Sequence, residues 1–195
     1  MSLELAARIN SFLAALVLLT AFAMLAQRRM NGLIHLFAWQ GLLLSVNTAI
    51  VGFVASRHHL YISSVLTLGL KVVLLPYILH VLIRRLKIHK EIEVVVNIPM
   101  TMMIGIGLVV FSYQLTAPII QLSTLVTRST LAVALATVMI GLLMMITRRH
   151  AVTQIIGFLA LEHGLFFAAT SATYGMPLVV ELGVALDVLI AAFIF

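Results

Sequence analysis

The chain has 195 residues, 63% of them hydrophobic and 9% charged, with a mean hydropathy of +1.21. Soluble domains are about half apolar and a quarter charged, so a single aqueous globule is excluded and lipid must solvate much of the surface. The net charge of +6 does not point to nucleic acid, because all but one of the 12 Lys and Arg residues gather at the ends of apolar runs, as topology signals do. With no cysteine, disulfides, thiolate zinc sites and iron–sulfur ligation by this chain are also excluded.

In chain order, seven apolar stretches are each long enough to cross a bilayer as a helix: Leu5–Ala26, Leu33–Ala55, Leu60–Ile83, Ile98–Tyr113, Ser129–Ile146, Val152–Tyr174 and Met176–Phe195. The runs are continuous rather than alternating, which rules out barrel strands. The fold class expected is therefore all-α integral membrane, with about seven transmembrane helices. The first span is not a cleavable signal, since its Arg28-Arg29 pair follows the apolar run. The longest connections are Arg84–Asn97, expected as a surface helix, and Gln114–Arg128, a loop containing Pro118. The sequence stops at Phe195 without the polar flank that ends most last spans, so a further C-terminal tail is expected.

Alternating the loops puts Arg28, Arg29, Arg84, Arg85, Lys87, Lys90, Arg148 and Arg149 on one side, and Arg8, Arg57 and Arg128 on the other. By the positive-inside rule the N-terminus lies outside and the C-terminus inside a bacterial or archaeal cytoplasmic (inner) membrane.

Spans one to three look like spans five to seven. Arg28-Arg29 matches Arg148-Arg149, Ala38-Trp39-Gln40 matches Ala160-Leu161-Glu162, and Gly41–Gly52 aligns with Gly164–Gly175. Two parallel three-helix repeats around an extra fourth helix follow, because four intervening crossings preserve orientation. In these terms residues 1–90 form the first repeat and its basic loop, 91–128 a connecting span and outer loop, and 129–195 the second repeat.

Ionised residues at a helix centre cost roughly 2.5–3.5 kcal/mol on insertion scales, so they face protein or water and usually have a task. Lys71, Glu162 and Asp187 fall near the middle of spans three, six and seven; Glu181 lies nearer the outer end of span seven. Six residues separate Glu181 from Asp187, about 120° around a helix, so the two cannot share one partner. An acid, a base and an acid at one depth either pair to hold the bundle together or relay protons, since burial and a movable counter-charge shift pKa values widely. Pro76 removes the amide that would bond the carbonyl of Val72, leaving a polar group beside Lys71. Gln40 stands where the second repeat has Glu162. His163 points about 100° away from Glu162 and is the lesser candidate for the relay. Asn47 and the Thr170-Ser171 pair are expected as interhelical hydrogen-bond glue. The histidines form no convincing metal spacing, and no nucleotide or hydrolase motif is present.

The stretch GFLALEHGLFFAATSATYG, with PLVVELGVALDVLIAAFIF after it, resembles the hydrogenase-4 component E family, membrane subunits of formate-hydrogenlyase-like group 4 [NiFe] hydrogenases. The last three spans are similar to the K component of complex I and to the C component of Mrp antiporters. The resemblance implies a non-catalytic subunit of a redox complex, contributing Glu162 and Asp187 to proton or ion translocation coupled to electron transfer. It further implies antiporter-like and other membrane subunits as partners. No cofactor is expected in this chain; a nickel–iron centre and iron–sulfur clusters are expected in the partners. Two departures stand out. Aspartate at 187 is one methylene shorter than the family's glutamate, and Lys71 has no counterpart in the K component of complex I. A structural adaptor that moves no protons, a subunit of an Mrp-type antiporter and a lone small transporter are the other readings.

Overall fold

A computed structural model describes residues 3–55, 64–65, 67–86, 92–120 and 128–173. Nearly all of them are helical: α1 (Leu3–Ala26), α2 (Met30–Ala55), a π-helical segment (Leu68–Leu74) that runs into α3 (Leu75–Leu86), α4 (Ile98–Ile120), α5 (Arg128–Thr147) and α6 (Ala151–Thr173). Helices satisfy their own backbone groups, which lipid cannot do for them. Five are long and apolar enough to cross a membrane, within Arg8–Ala26, Met30–Phe53, Ile98–Pro118, Thr130–Thr147 and Ala151–Thr170. The protein is an all-α, multi-pass membrane protein. The seventh expected span, with Glu181 and Asp187, lies outside the described residues.

Short connections make α1–α2 and α5–α6 antiparallel hairpins. Helix α1 packs on α5, α2 packs on α6 and on the π-helical segment, and α4 lies against α5 and α1. The α5–α6 contact is the tightest. A Cβ at Gly141 would sit 2.6 Å from the Leu161 amide nitrogen, and one at Gly164 would sit 2.8 Å from the Val138 nitrogen. Only glycine lets the backbones come this close, which is how packing without a water-driven force gains contact area. Helix α4 is peripheral and presents Met103, Ile106 and Phe111 outward, as suits a lipid-facing helix.

Two connections differ from expectation. Pro118 does not end a loop-bound span: α4 continues through it to Ile120. Stopping at Tyr113 would leave a whole turn of carbonyls unpaired, whereas proline removes one bond. Between α3 and α4, residues 92–97 are an irregular strap, bent at Val95 and Val96, rather than a surface helix. Val94 bridges Arg148 in antiparallel fashion. The Ile92 amide donates to the Arg28 carbonyl at 2.8 Å and the Val95 amide to the Thr147 carbonyl at 2.9 Å. The neighbouring turns accept hydrogen bonds that a helix would have kept internal.

Candidate functional site

The bundle's polar centre is assembled where α2, the π-helical segment and α6 meet. Lys71 Nζ donates to Glu162 Oε1 at 2.7 Å. The lysine is 1% exposed and the glutamate 6%, so this ion pair is held almost entirely away from solvent. The ammonium also lies 5.4 Å from the centroid of the Phe166 ring, within the range of a cation–π contact. One turn of helix separates Glu162 and Phe166, so a single face of α6 offers both groups to the lysine.

Lys71 sits in the middle of the π-helical segment. There the backbone closes five residues on, as in the bond from the Leu75 amide to the Leu70 carbonyl. In this register the amide that Pro76 lacks is the one facing the carbonyl of Lys71 itself, not that of Val72 as an α-helix would have it. Short π segments are frequent at functional positions, because the extra residue per turn re-aims a side chain. Here the re-aimed side chain is the buried lysine.

A second polar contact flanks the first. His163 Nδ1 lies 3.1 Å from Gln40 Oε1, and its ring stacks on Phe37 at 4.8 Å, with 7° between the planes. The amide of Gln40 donates to the Val17 carbonyl on α1 at 3.4 Å. Gln40 and His163 are both fully buried. The 100° step between Glu162 and His163 therefore does not set His163 aside. Helix α6 is enclosed, and the step lets it face the lysine with one residue and α2 with the next. Gly41 lies between the two contacts: a Cβ there would meet Lys71 Cβ at 3.3 Å and His163 Cε1 at 3.6 Å.

Of the residues expected in the site, the structure brings together Lys71, Glu162, Pro76, His163 and Gln40; Asp187 and Glu181 lie outside the described residues. Asn47 and Thr170 are not interhelical glue. Neither polar atom of the Asn47 amide has a hydrogen-bond partner among the described residues, and the Thr170 hydroxyl donates to the Phe166 carbonyl of its own helix. No group of three His, Cys, Asp or Glu side chains is gathered among the described residues. His35 and His80 pack edge to face, 5.8 Å apart, away from the ion pair.

Arg148 was legible only as a topology charge, yet it is buried. Its guanidinium donates to the carbonyls of Leu25 at 2.7 Å, Gln27 at 3.1 Å and Met24 at 3.2 Å. It thus caps the C-terminus of α1, where unpaired carbonyls and the helix dipole both favour a cation. Burial draws its pKa below the ordinary value, but an arginine stays charged at any ordinary pH. Connection length gave no signal: the α1–α2 connection is also three residues long and carries the same arginine pair, yet both Arg28 and Arg29 are exposed. Nearby, an open cleft of about 480 Å³ is lined by Arg28, Arg29, Ile92, Val94, Asn97 and Ile98.

Fold and site together define a multi-pass helical membrane protein built around a buried lysine–glutamate pair. Over 184 residues, 94% of this chain and 84% of the relative, it is 32% identical to "Uncharacterized protein Rv0085" of Mycobacterium tuberculosis. The chain belongs to the family of that mycobacterial protein. No protein-family profile matches it, and no solved structure does.

Proposed function

We propose that this chain is a non-catalytic membrane subunit of a hydrogenase or complex I-like redox complex, and that the Lys71–Glu162 pair passes protons as electrons move in partner subunits. The carrying observation is the ion pair itself, 2.7 Å long and nearly sealed from solvent. A buried acid and base in contact can exchange a proton or change partners at modest cost, because the uncharged pair is also tolerable in a low dielectric. The resemblance to hydrogenase-4 component E supports the setting: antiporter-like neighbours, with nickel–iron and iron–sulfur centres in those partners. In this reading the chain has seven spans in two parallel repeats. It sits in the cytoplasmic membrane with its N-terminus outside, and Asp187 extends the acidic series with Glu181 at its edge.

Glu162→Gln tests the proposal in the assembled complex. It keeps the shape and one hydrogen bond to Lys71 but removes the titratable group. Loss of proton pumping with the complex still assembled and its electron transfer intact is expected; undiminished pumping would overturn the proposal. A structural adaptor is the second reading, favoured by the same ion pair, which ties the π-helical segment to α6. Under that reading Glu162→Gln impairs assembly and leaves the pumping of any assembled complex unchanged. Co-purification with nickel-containing subunits separates both from a lone transporter or an Mrp-type antiporter.

A further inference from the structure

The two halves of the bundle on either side of the ion pair are built differently. Arg148 caps the end of α1, so the start of α6 lies beside the end of α1 and the start of α2. Towards this arginine end the interior is a continuous apolar layer of fully buried side chains, among them Met24, Met30, Phe37, Leu79, Met144 and Ile156. Such a layer holds no group that would bind water, and apolar cavities of this kind stay dry.

Towards the other end, where α1 begins and α2 ends, a smaller apolar cluster of Ala14, Leu44, Val133, Ala134, Phe166 and Phe167 is interspersed with buried polar side chains, some of them incompletely satisfied. Asn47 is completely buried, yet both its amide oxygen and its amide nitrogen lack partners among the described residues. Asn10 Oδ1, Thr67 Oγ1 and His163 Nε2 are buried in the same state. Their positions are ordered. Asn47 lies seven residues beyond Gln40 on α2, and Asn10 seven residues before Val17, the residue Gln40 bonds on the antiparallel α1. Seven residues are two turns, about 10 Å along one helix face. Asn10 and Asn47 therefore share a level, Thr67 lies one turn from Lys71, and His163 Nε2 closes the series at the site. Two further unpartnered atoms, Arg148 Nε and His150 Nε2, lie at the arginine end beyond the apolar layer.

Buried polar atoms are satisfied by protein or by ordered water, which typically makes about three hydrogen bonds to such groups. We infer that ordered water occupies the interior around Asn10, Asn47 and Thr67 and reaches His163 and the Lys71–Glu162 pair from that end alone. The pair thus opens to one side of the membrane and is sealed from the other by the apolar layer. This route deepens the proton-transfer reading and rests on it for its purpose, whereas its water is measurable without any transport.

The test is water-edited solid-state NMR on ¹⁵N-labelled full-length protein in lipid bilayers. Magnetisation from water should reach the Asn47 side-chain amide and the His163 ring nitrogens several-fold faster than the backbone amides of Phe37 and Ile156. In Asn47→Leu, transfer to His163 should slow several-fold, since one anchor of the water is gone. Equal, slow transfer at Asn47 and Phe37 would overturn the inference, as would fast transfer at Phe37 and Ile156, which means access from both ends. Because the labelled wild-type protein carries the measurement, misfolding of the variant leaves the test intact. Hydrated Asn47 with undiminished pumping in Glu162→Gln would remove the proton-transfer reading and keep the water path.

Discussion

At Lys71 and Glu162, two charges occupy a place where either alone would be costly. Removing one partner from a buried pair typically costs about 3–5 kcal/mol, while replacing both with apolar groups of similar volume is often neutral or stabilising. We therefore expect Lys71→Met to lower the unfolding free energy by about that amount and the double variant Lys71→Met/Glu162→Leu to recover most of it, as read from unfolding in detergent micelles. Under the proposed proton-transfer role both should be equally inactive in proton transport, which would separate that role from the pair's contribution to stability. Arg148 presents the complementary case, a charge whose partners are all backbone carbonyls. Hydrogen bonds to charged groups contribute about 1.5–3 kcal/mol each and are not additive, so Arg148→Ala should cost about 3 kcal/mol in the same measurement. Arg148→Lys should restore less than half of that, because one ammonium cannot span the three carbonyls that the planar fork reaches.

Among the elements, helix α6 has the least freedom. Gly164 brings it against α5, and its far face carries Glu162 and His163 to the π-helical segment and α2. Gly164→Val would drive a side chain into the Val138 backbone. The expected loss is about 1–3 kcal/mol, the usual range for overpacking, together with a longer Lys71–Glu162 distance in a ¹³C–¹⁵N recoupling experiment. The π-helical segment is the other constrained element. Pro76→Ala returns an amide donor and should let the segment relax toward α geometry. That change rotates Lys71 away from Glu162, lengthening the same distance and lowering stability as the buried pair opens. These elements were partly legible beforehand. Continuous apolar runs marked the helices, and Pro76 marked trouble beside Lys71. The π register was not legible, since it depends on which carbonyls the surrounding helices leave unsatisfied. Pro118 misled for the same reason: in water its missing amide ends a helix, but in lipid continuing is the cheaper course.

Over the whole molecule, a continuous apolar layer separates the ion pair from the arginine end, while the other end mixes a smaller apolar cluster with buried polar side chains. Phe37 stands at the boundary, stacked on His163 and part of the apolar layer. Phe37→Ala should cost about 3–5 kcal/mol and thin the seal, raising the passive proton leak of vesicles reconstituted with the protein. A leak equal to the wild type would mean that the barrier lies elsewhere. The strap at 92–97 belongs to this scale too, because it joins the α1–α2 turn to the α5–α6 turn across residues distant in sequence. Its pairing could not be read from its own residues, which were expected as part of a surface helix.

The sequence by itself determined that this is a helical membrane protein, the approximate place of the five membrane-length helices among its described residues, and that Lys71 and Glu162 would lie inside it. Composition and run length suffice for this, because lipid imposes one solution on apolar backbone. Only the tertiary structure decided that Lys71 meets Glu162, that His163 turns to Gln40, and that Arg148 is a buried helix cap rather than a surface charge. Helices that are apolar all round carry no amphipathic stripe to tell one face from another. Which polar group finds which is then settled by close packing at glycines and by the need of each buried donor and acceptor for a partner.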